Sequence, residues 1–129
     1  MGNDINILVV DDEEDMCWAL ENILKMEGYN NVVTTTSGNE TLKKIKEKAF
    51  NIAFVDVKMP DFDGMELARL IKKEDSRIGI IIISGYYYED DSDIQKGLHD
   101  GVYLTFVGKP FDNVEIRKVA RRALELSKR

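Results

Sequence analysis

Short apolar runs alternate with longer amphipathic stretches along the whole chain. The runs are rich in valine and isoleucine and show no polar alternation, which is typical of strands buried on both faces. The predicted strands cover residues 5–10, 32–36, 52–55, 78–83 and 102–107. Between and after these runs, apolar residues recur at helical spacing, so the sequence predicts one helix after each strand.

Polar residues at the start of these stretches predict where the helices begin. Ser37 precedes the second helix, and Glu40 stands three positions later, as in a capping box. Asp63 is placed to cap the third helix, and Asp91 or Ser92 is placed to cap the fourth.

This alternation predicts a (βα)₅ fold of the α/β class. Strands that follow one another through helical crossovers lie parallel, and right-handed crossovers place helices on both faces of the sheet. The sequence contains neither a linker rich in Pro, Gly or Ser nor an internal repeat. We therefore expect residues 1–129 to form one domain, with a core from about residue 5 to about residue 127.

Composition narrows the classes of function. The chain has 129 residues, 43% of them hydrophobic and 33% charged, with a net charge of −6. An acidic domain is not expected to bind nucleic acid by itself. The one cysteine, Cys17, excludes an internal disulfide and favours a cytoplasmic location. We expect no membrane association, because no apolar run approaches the length that spans a bilayer and no signal peptide is evident.

The residues that end the predicted strands carry the candidate chemistry. Asp11 and Asp12 follow the first strand, Asp56 follows the third, Ser84 the fourth and Lys109 the fifth. Ligands of open parallel sheets bind beyond the carboxyl ends of the strands. These carboxylates, the hydroxyl and the ammonium group are therefore expected to meet at one edge of the sheet.

Such a cluster is suited to phosphoryl transfer with a divalent cation. Carboxylates in one crevice repel each other unless a cation joins them, and Mg²⁺ prefers oxygen ligands and phosphate. A carboxylate can itself be a nucleophile that becomes an aspartyl phosphate. Lys109 would then neutralise charge, and Ser84 would donate a hydrogen bond to a phosphate oxygen.

Four segments resemble the motif blocks of receiver domains from bacterial two-component response regulators. They read ILVVDDEEDM, FVDVKMPDFDG, IIIISG and GKPF, and they occur in the family's order. The resemblance covers about residues 5–127. It implies a doubly wound, flavodoxin-like sheet of five parallel strands in the order 2-1-3-4-5.

The resemblance also implies roles for the acidic residues. Asp56 would accept a phosphoryl group from a sensor histidine kinase and would belong to the metal site. Asp12 would bind Mg²⁺ directly, Asp11 would bind it through water, and the backbone carbonyl of Lys58 would be a further ligand.

Other roles implied by the resemblance concern switching. Ser84 would be the hydroxyl that moves toward the phosphoryl group, where many relatives have threonine. Lys109 would pair with the phosphoryl group, and the Lys109–Pro110 bond would be cis. Phe106, where tyrosine is common, would be the aromatic residue whose rotamer reports activation. Pro60 and Gly64 would shape the loop after Asp56.

The function expected from these features is that of a signalling switch. It would catalyse only its own phosphorylation and dephosphorylation. Expected partners are a sensor histidine kinase and a second copy docked through the face of the fourth helix, fifth strand and fifth helix.

A phosphohydrolase with an aspartyl nucleophile is the main alternative function, but Lys58 stands where the second Asp of such an enzyme would be. A receiver-like binding module without phosphorylation is a further rival, and the intact acidic set counts against it. The sequence leaves open whether the domain is a stand-alone regulator or the N-terminal part of a larger transcriptional regulator.

Overall fold

The computed structural model describes residues 4–57, 59, 61–85 and 92–128. Strands and helices alternate through the described chain, as the sequence predicts. The elements are β1 (Asn6–Val10), α1 (Glu14–Met26), β2 (Asn31–Thr35), α2 (Gly38–Glu47), β3 (Ile52–Asp56), α3 (Gly64–Glu74), β4 (Gly79–Ser84), α4 (Ser92–His99), β5 (Thr105–Gly108) and α5 (Asn113–Leu126).

The five strands form one parallel sheet in the order β2-β1-β3-β4-β5. This order confirms the expected doubly wound topology. It makes β1 and β3 direct neighbours, with Val10 opposite Val55. The residues that follow these two strands therefore emerge side by side at the carboxyl edge of the sheet.

Apolar side chains fill both faces of the sheet. Successive residues of a strand point to opposite faces, so Leu8 and Val10 belong to one buried cluster while Ile7 and Val9 belong to the other. Helices cover each cluster, which explains why the strands lack the polar alternation of a half-exposed sheet.

Two predicted helix caps are confirmed. The Ser37 hydroxyl accepts the Glu40 N–H at 3.1 Å, and one carboxylate oxygen of Asp63 accepts the Met65 N–H at 2.8 Å. Helix α4 begins at Ser92, and the predicted cap at Asp91 lies outside the described residues. Among the described helices, none is both long enough and apolar enough to cross a bilayer.

The predicted fifth strand is wrong at its start. The sequence predicts a strand over residues 102–107, whereas β5 runs from Thr105 to Gly108. Gly101 adopts a φ of +75°, and the Val102 N–H donates to the Gly97 carbonyl at 2.8 Å. The backbone at Val102 is therefore bonded to the end of α4. The paired register with β4 begins only at Thr105.

The buried centre of the sheet sets the stability of the domain. Phe54 lies on the central strand β3 and is fully buried. Replacing it with alanine is expected to lower the free energy of unfolding by about 3–5 kcal/mol, since both burial and packing are lost. Denaturant unfolding measures this, with Val114→Ala as the control, because Val114 is 48% exposed. The control is expected to change stability by less than about 0.5 kcal/mol; equal losses in both variants would contradict the prediction.

Candidate functional site

Three carboxylates meet at the carboxyl edge of the sheet. Asp11 and Asp12 directly follow β1, and Asp56 is the last residue of β3. One oxygen from each of the three lies within 4.8 Å of the others. Asp11 and Asp56 are buried, whereas Asp12 is exposed. The structure thus brings together the three acidic residues that the sequence predicts at one site.

The ammonium group of Lys109 is bonded to two of these carboxylates. Its Nζ lies 3.1 Å from Asp11 Oδ2 and 3.4 Å from Asp56 Oδ2. Burial disfavours the charged amine, but the hydrogen bond and charge of Asp11, together with Asp56, outweigh it and raise the pKa of Lys109. A raised pKa keeps the lysine cationic at neutral pH, so it offsets part of the acidic charge.

Backbone pairing just after β5 positions Lys109 at the site. The Lys109 N–H donates to the Ser84 carbonyl at 2.7 Å, which extends the pairing of β5 with β4. The Lys109–Pro110 peptide bond is cis, as expected. Lys109 and Ser84 therefore lie next to each other at the edge of the sheet, although the whole of α4 separates them in sequence.

A cavity of about 220 Å³ opens over the carboxylates. Ser84 lies in its wall and is buried, so the hydroxyl, the carboxylates and the ammonium group share one space. The described residues that line the cavity are Asp12, Glu13, Asp56, Val57, Ser84, Gly85 and Lys109.

Other predicted residues lie away from this cavity or outside the described chain. Phe106 lies on β5 opposite Ile82, is partly buried, and packs against an apolar cluster beneath the sheet edge. Pro110 is exposed. Lys58, with its expected carbonyl ligand, and Pro60 lie outside the described residues.

Sequence reasoning missed two groups that bond to Asp11, the backbone N–H of Glu13 and the thiol of Cys17. The Glu13 N–H donates to Asp11 Oδ1 at 2.9 Å, and Glu13 also lines the cavity. The Cys17 Sγ lies 3.4 Å from the Asp11 carbonyl oxygen. Burial, with the nearby Asp11 charge, raises the pKa of the Cys17 thiol to about 11. Cys17 is thus a protonated donor at neutral pH and not a nucleophile.

The donor set fits a hard divalent cation. It offers carboxylate oxygens close together, and Asp12 presents its carboxylate at an open cavity. Lys109 engages one oxygen each of Asp11 and Asp56 and offers no ligand of its own. Mg²⁺ is the cation that usually combines one or two carboxylates with waters and phosphate oxygens.

Known proteins of similar sequence and structure carry the same domain. The model of the response regulator receiver domain matches residues 7–121. A curated relative is the transcriptional regulatory protein ZraR of Klebsiella oxytoca, which is 31% identical over 123 residues. That match covers 95% of this chain but only 27% of ZraR. The chain therefore spans about a quarter of the length of such a relative.

Two solved structures show the same fold. A CheY-like receiver domain protein from Methanospirillum hungatei has a TM-score of 0.85 at 28% identity, covering 95% of this chain and 94% of that one. The response regulator TrrA from Thermotoga maritima, solved in complex with Mg²⁺-BeF, has a TM-score of 0.81 at 30% identity, covering 93% and 99%. The matched segment 7–121 contains every described residue that lines the acidic cavity. The chain belongs to the receiver domains of response regulators, the switch domains of two-component signalling.

Proposed function

We propose that Asp56 is the phosphoacceptor of this receiver domain and that Mg²⁺ binds beside it. The observation that carries the proposal is the cluster of three carboxylates within 4.8 Å of one another, two of them bonded to one ammonium group. Of the three, Asp56 is the one that both lies in the cavity wall and ends the central strand. A receiver structure solved with Mg²⁺-BeF supports the same reading.

The metal would be held mainly from the β1 side of the cavity. Asp12 would bind it directly, and Asp11 would bind it through water. Asp56 and the Lys58 carbonyl would be the remaining protein ligands. When bound, Mg²⁺ supplies positive charge to the phosphoryl oxygens. The exposure of Asp12 supports its assignment as the direct ligand, because Asp11 is fully buried and its Oδ1 already accepts the Glu13 N–H.

The transfer step would use the side chains that share the cavity. A carboxylate oxygen of Asp56 would attack the phosphorus of a phosphohistidine, and the P–N bond would break. The imidazole would leave with the bonding electron pair and take a proton from water. Lys109 would move its pairing from the Asp56 carboxylate to a phosphoryl oxygen, so a positive charge stays next to the acidic site throughout. Hydrolysis by water would return Asp56 to a carboxylate and release phosphate.

The switch would follow from a contact that exists only in the phosphorylated state. Ser84 lies in the same cavity wall as Asp56, so its hydroxyl would donate to a phosphoryl oxygen. A ligand shifts an equilibrium only through contacts that differ between the two states. Phe106 on β5 pairs with Ile82, which stands two positions before Ser84 on β4. Movement of Ser84 would therefore shift the neighbouring strand β5.

The partners proposed for the domain follow from this role. A sensor histidine kinase would supply the phosphoryl group in the cytoplasm, and residues 1–129 would act as one domain. A second copy would dock on the face formed by α4, β5 and α5. The part of this face around β5 and α5 includes a groove of about 400 Å³, lined in part by Leu104, Val119 and Leu126. ZraR is a transcriptional regulatory protein of which the chain matches 27%, so we propose a larger regulator as the whole protein. The net charge of −6 counts against nucleic-acid binding by this domain itself.

The first prediction concerns the phosphoacceptor. Asp56→Asn removes the nucleophilic carboxylate while keeping the size of the side chain, so phosphorylation is expected to be lost. Wild type and variant are incubated with acetyl phosphate and Mg²⁺, and intact mass is measured. A gain of one phosphate in Asp56→Asn would refute the assignment; Asp15→Asn, which changes an exposed carboxylate in the first turn of α1, is the control and is expected to gain one phosphate on Asp56.

A second prediction concerns the metal ligand Asp12. Asp12→Ala is expected to weaken Mg²⁺ binding by at least about tenfold. Attraction between unit charges about 4 Å apart is worth about 4 kcal/mol at an effective dielectric constant of 20. Calorimetric titration of Mg²⁺ into the unphosphorylated proteins measures the change. Asp15→Ala, which removes an exposed carboxylate from the first turn of α1, is the matched control. Equal affinity in Asp12→Ala and wild type would remove Asp12 from the site.

A third prediction separates switching from acceptance. Ser84→Ala is expected to retain phosphorylation on Asp56 yet lose the conformational response, because only the hydroxyl contact is removed. Backbone amide NMR spectra are compared with and without beryllofluoride and Mg²⁺. In wild type, shifts are expected to extend from Asp56 to Phe106, whereas in Ser84→Ala they stay near Asp11, Asp12 and Asp56. Distant shifts that survive the substitution would show that the response does not run through this hydroxyl.

A further inference from the structure

We infer that Asp61 is a positioning residue, which anchors the loop after Asp56 to the first turn of α2 and so holds the acidic site in its metal-binding geometry. The consequence for Mg²⁺ rests on the proposed function, whereas the anchoring contact is independent of it. The inference depends on contacts at both ends of the described part of the loop.

The first contact joins two distant segments. Asp61 Oδ2 accepts the Gly38 N–H at 2.8 Å, across 23 residues of sequence. Gly38 is the first residue of α2, and amides in the first turn of a helix have no partner within the helix. The positive end of the helix dipole also favours a carboxylate there. Asp61 thus supplies α2 with a second acceptor in addition to its own cap, Ser37.

The second contact fixes the distance between the loop and the helix. A Cβ atom built on Gly38 would lie 1.8 Å from Cδ2 of Phe62, so the ring occupies the space that any side chain at position 38 would need. Phe62 also packs against the buried cluster below the site. The loop therefore presses against α2 through a ring as well as a hydrogen bond.

The third contact connects the anchored residues with the phosphoacceptor. The Gly64 N–H donates to the Val57 carbonyl at 2.7 Å. A Cβ atom at Gly64 would lie 2.2 Å from the Asp56 carbonyl oxygen. Gly64 therefore lies directly against Asp56 and Val57, and Asp61, which is bonded to α2, stands between them in sequence.

The start of α2 is itself tied to the other acidic strand end. The hydroxyl groups of Thr35 and Thr41 lie 2.6 Å apart, which joins α2 to the end of β2. The Asp11 N–H in turn donates to the Thr35 carbonyl at 3.2 Å. One helix end therefore serves as a common anchor for the segment after β1 and the loop after β3. Breaking the Asp61 contact is expected to loosen Asp56 relative to Asp11 and Asp12.

The test compares three variants of the unphosphorylated protein. Asp61→Ala removes the acceptor, and Asp61→Asn removes the charge but keeps an acceptor oxygen. Ser37→Ala removes the helix's own cap, which accepts the Glu40 N–H, and leaves Asp61 in place. Amide hydrogen exchange of Gly38 and Gly64 is measured without metal, and Mg²⁺ affinity is measured by calorimetry, with melting temperature as the record of global stability.

The expected pattern distinguishes anchoring from charge and from stability. Asp61→Ala should speed exchange at Gly64 and weaken Mg²⁺ binding by roughly tenfold, the lower end of what outer-shell support contributes to metal affinity. Asp61→Asn should stay near wild type in both measurements. Ser37→Ala should lower the melting temperature and leave Mg²⁺ affinity unchanged.

Several results would overturn the inference. Equal weakening in Asp61→Ala and Asp61→Asn would make the effect one of charge, and equal weakening in Ser37→Ala would make it one of helix stability. Unchanged Gly64 exchange and Mg²⁺ affinity in Asp61→Ala would exclude anchoring. If wild type itself bound no Mg²⁺, the proposed function would fail, while Gly64 exchange would still decide whether Asp61 anchors the loop.

Discussion

The mutual repulsion of three carboxylates is the constraint on which the rest of the structure depends. Their oxygens lie within 4.8 Å of one another, and two of the three residues are buried. Repulsion between charges grows as water is excluded. Among the described residues, the ammonium group of Lys109 is bonded to two of these carboxylates, so this one cation offsets only part of their charge when all three are ionised. A site built in this way gains stability from an added divalent cation.

The order of the strands is what makes this cluster possible. Asp11 and Lys109 are 98 residues apart in sequence, and only the folded sheet brings them to 3.1 Å. β1 lies beside β3, which sets Asp11 and Asp12 next to Asp56. β5 lies beside β4, and its backbone bond to Ser84 places Lys109 across the same cavity. Burial of apolar side chains on both faces of the sheet is the dominant favourable contribution to the free energy of folding. It therefore holds together charged groups that would otherwise separate.

The sequence predicts this site well because strand ends can be located from apolar runs alone. Asp56 and Ser84 prove to be the last residues of their strands, within one residue of the predicted ends. The order of the strands came from family resemblance, because hydrophobic pattern does not order strands. The sequence predicts strand over residues 102–104 because all three are hydrophobic, but the turn at Gly101 keeps Val102 bonded to α4. Glu13 and Asp61 could not be predicted, since a backbone amide and a loop carboxylate leave no periodic signal.

The supporting contacts reach the site from two sides. On the β1 side, Asp11 is held through its side chain by the Glu13 N–H and through its backbone by Thr35, with Cys17 against its carbonyl. These bonds join it to α1 and β2. On the other side, Ser84 and Lys109 are joined to each other through the backbone, and Phe106 on the same strand is only partly buried. Lys109 links the two sides, because its ammonium group is bonded to Asp11 and Asp56 while its backbone N–H is bonded to the Ser84 carbonyl.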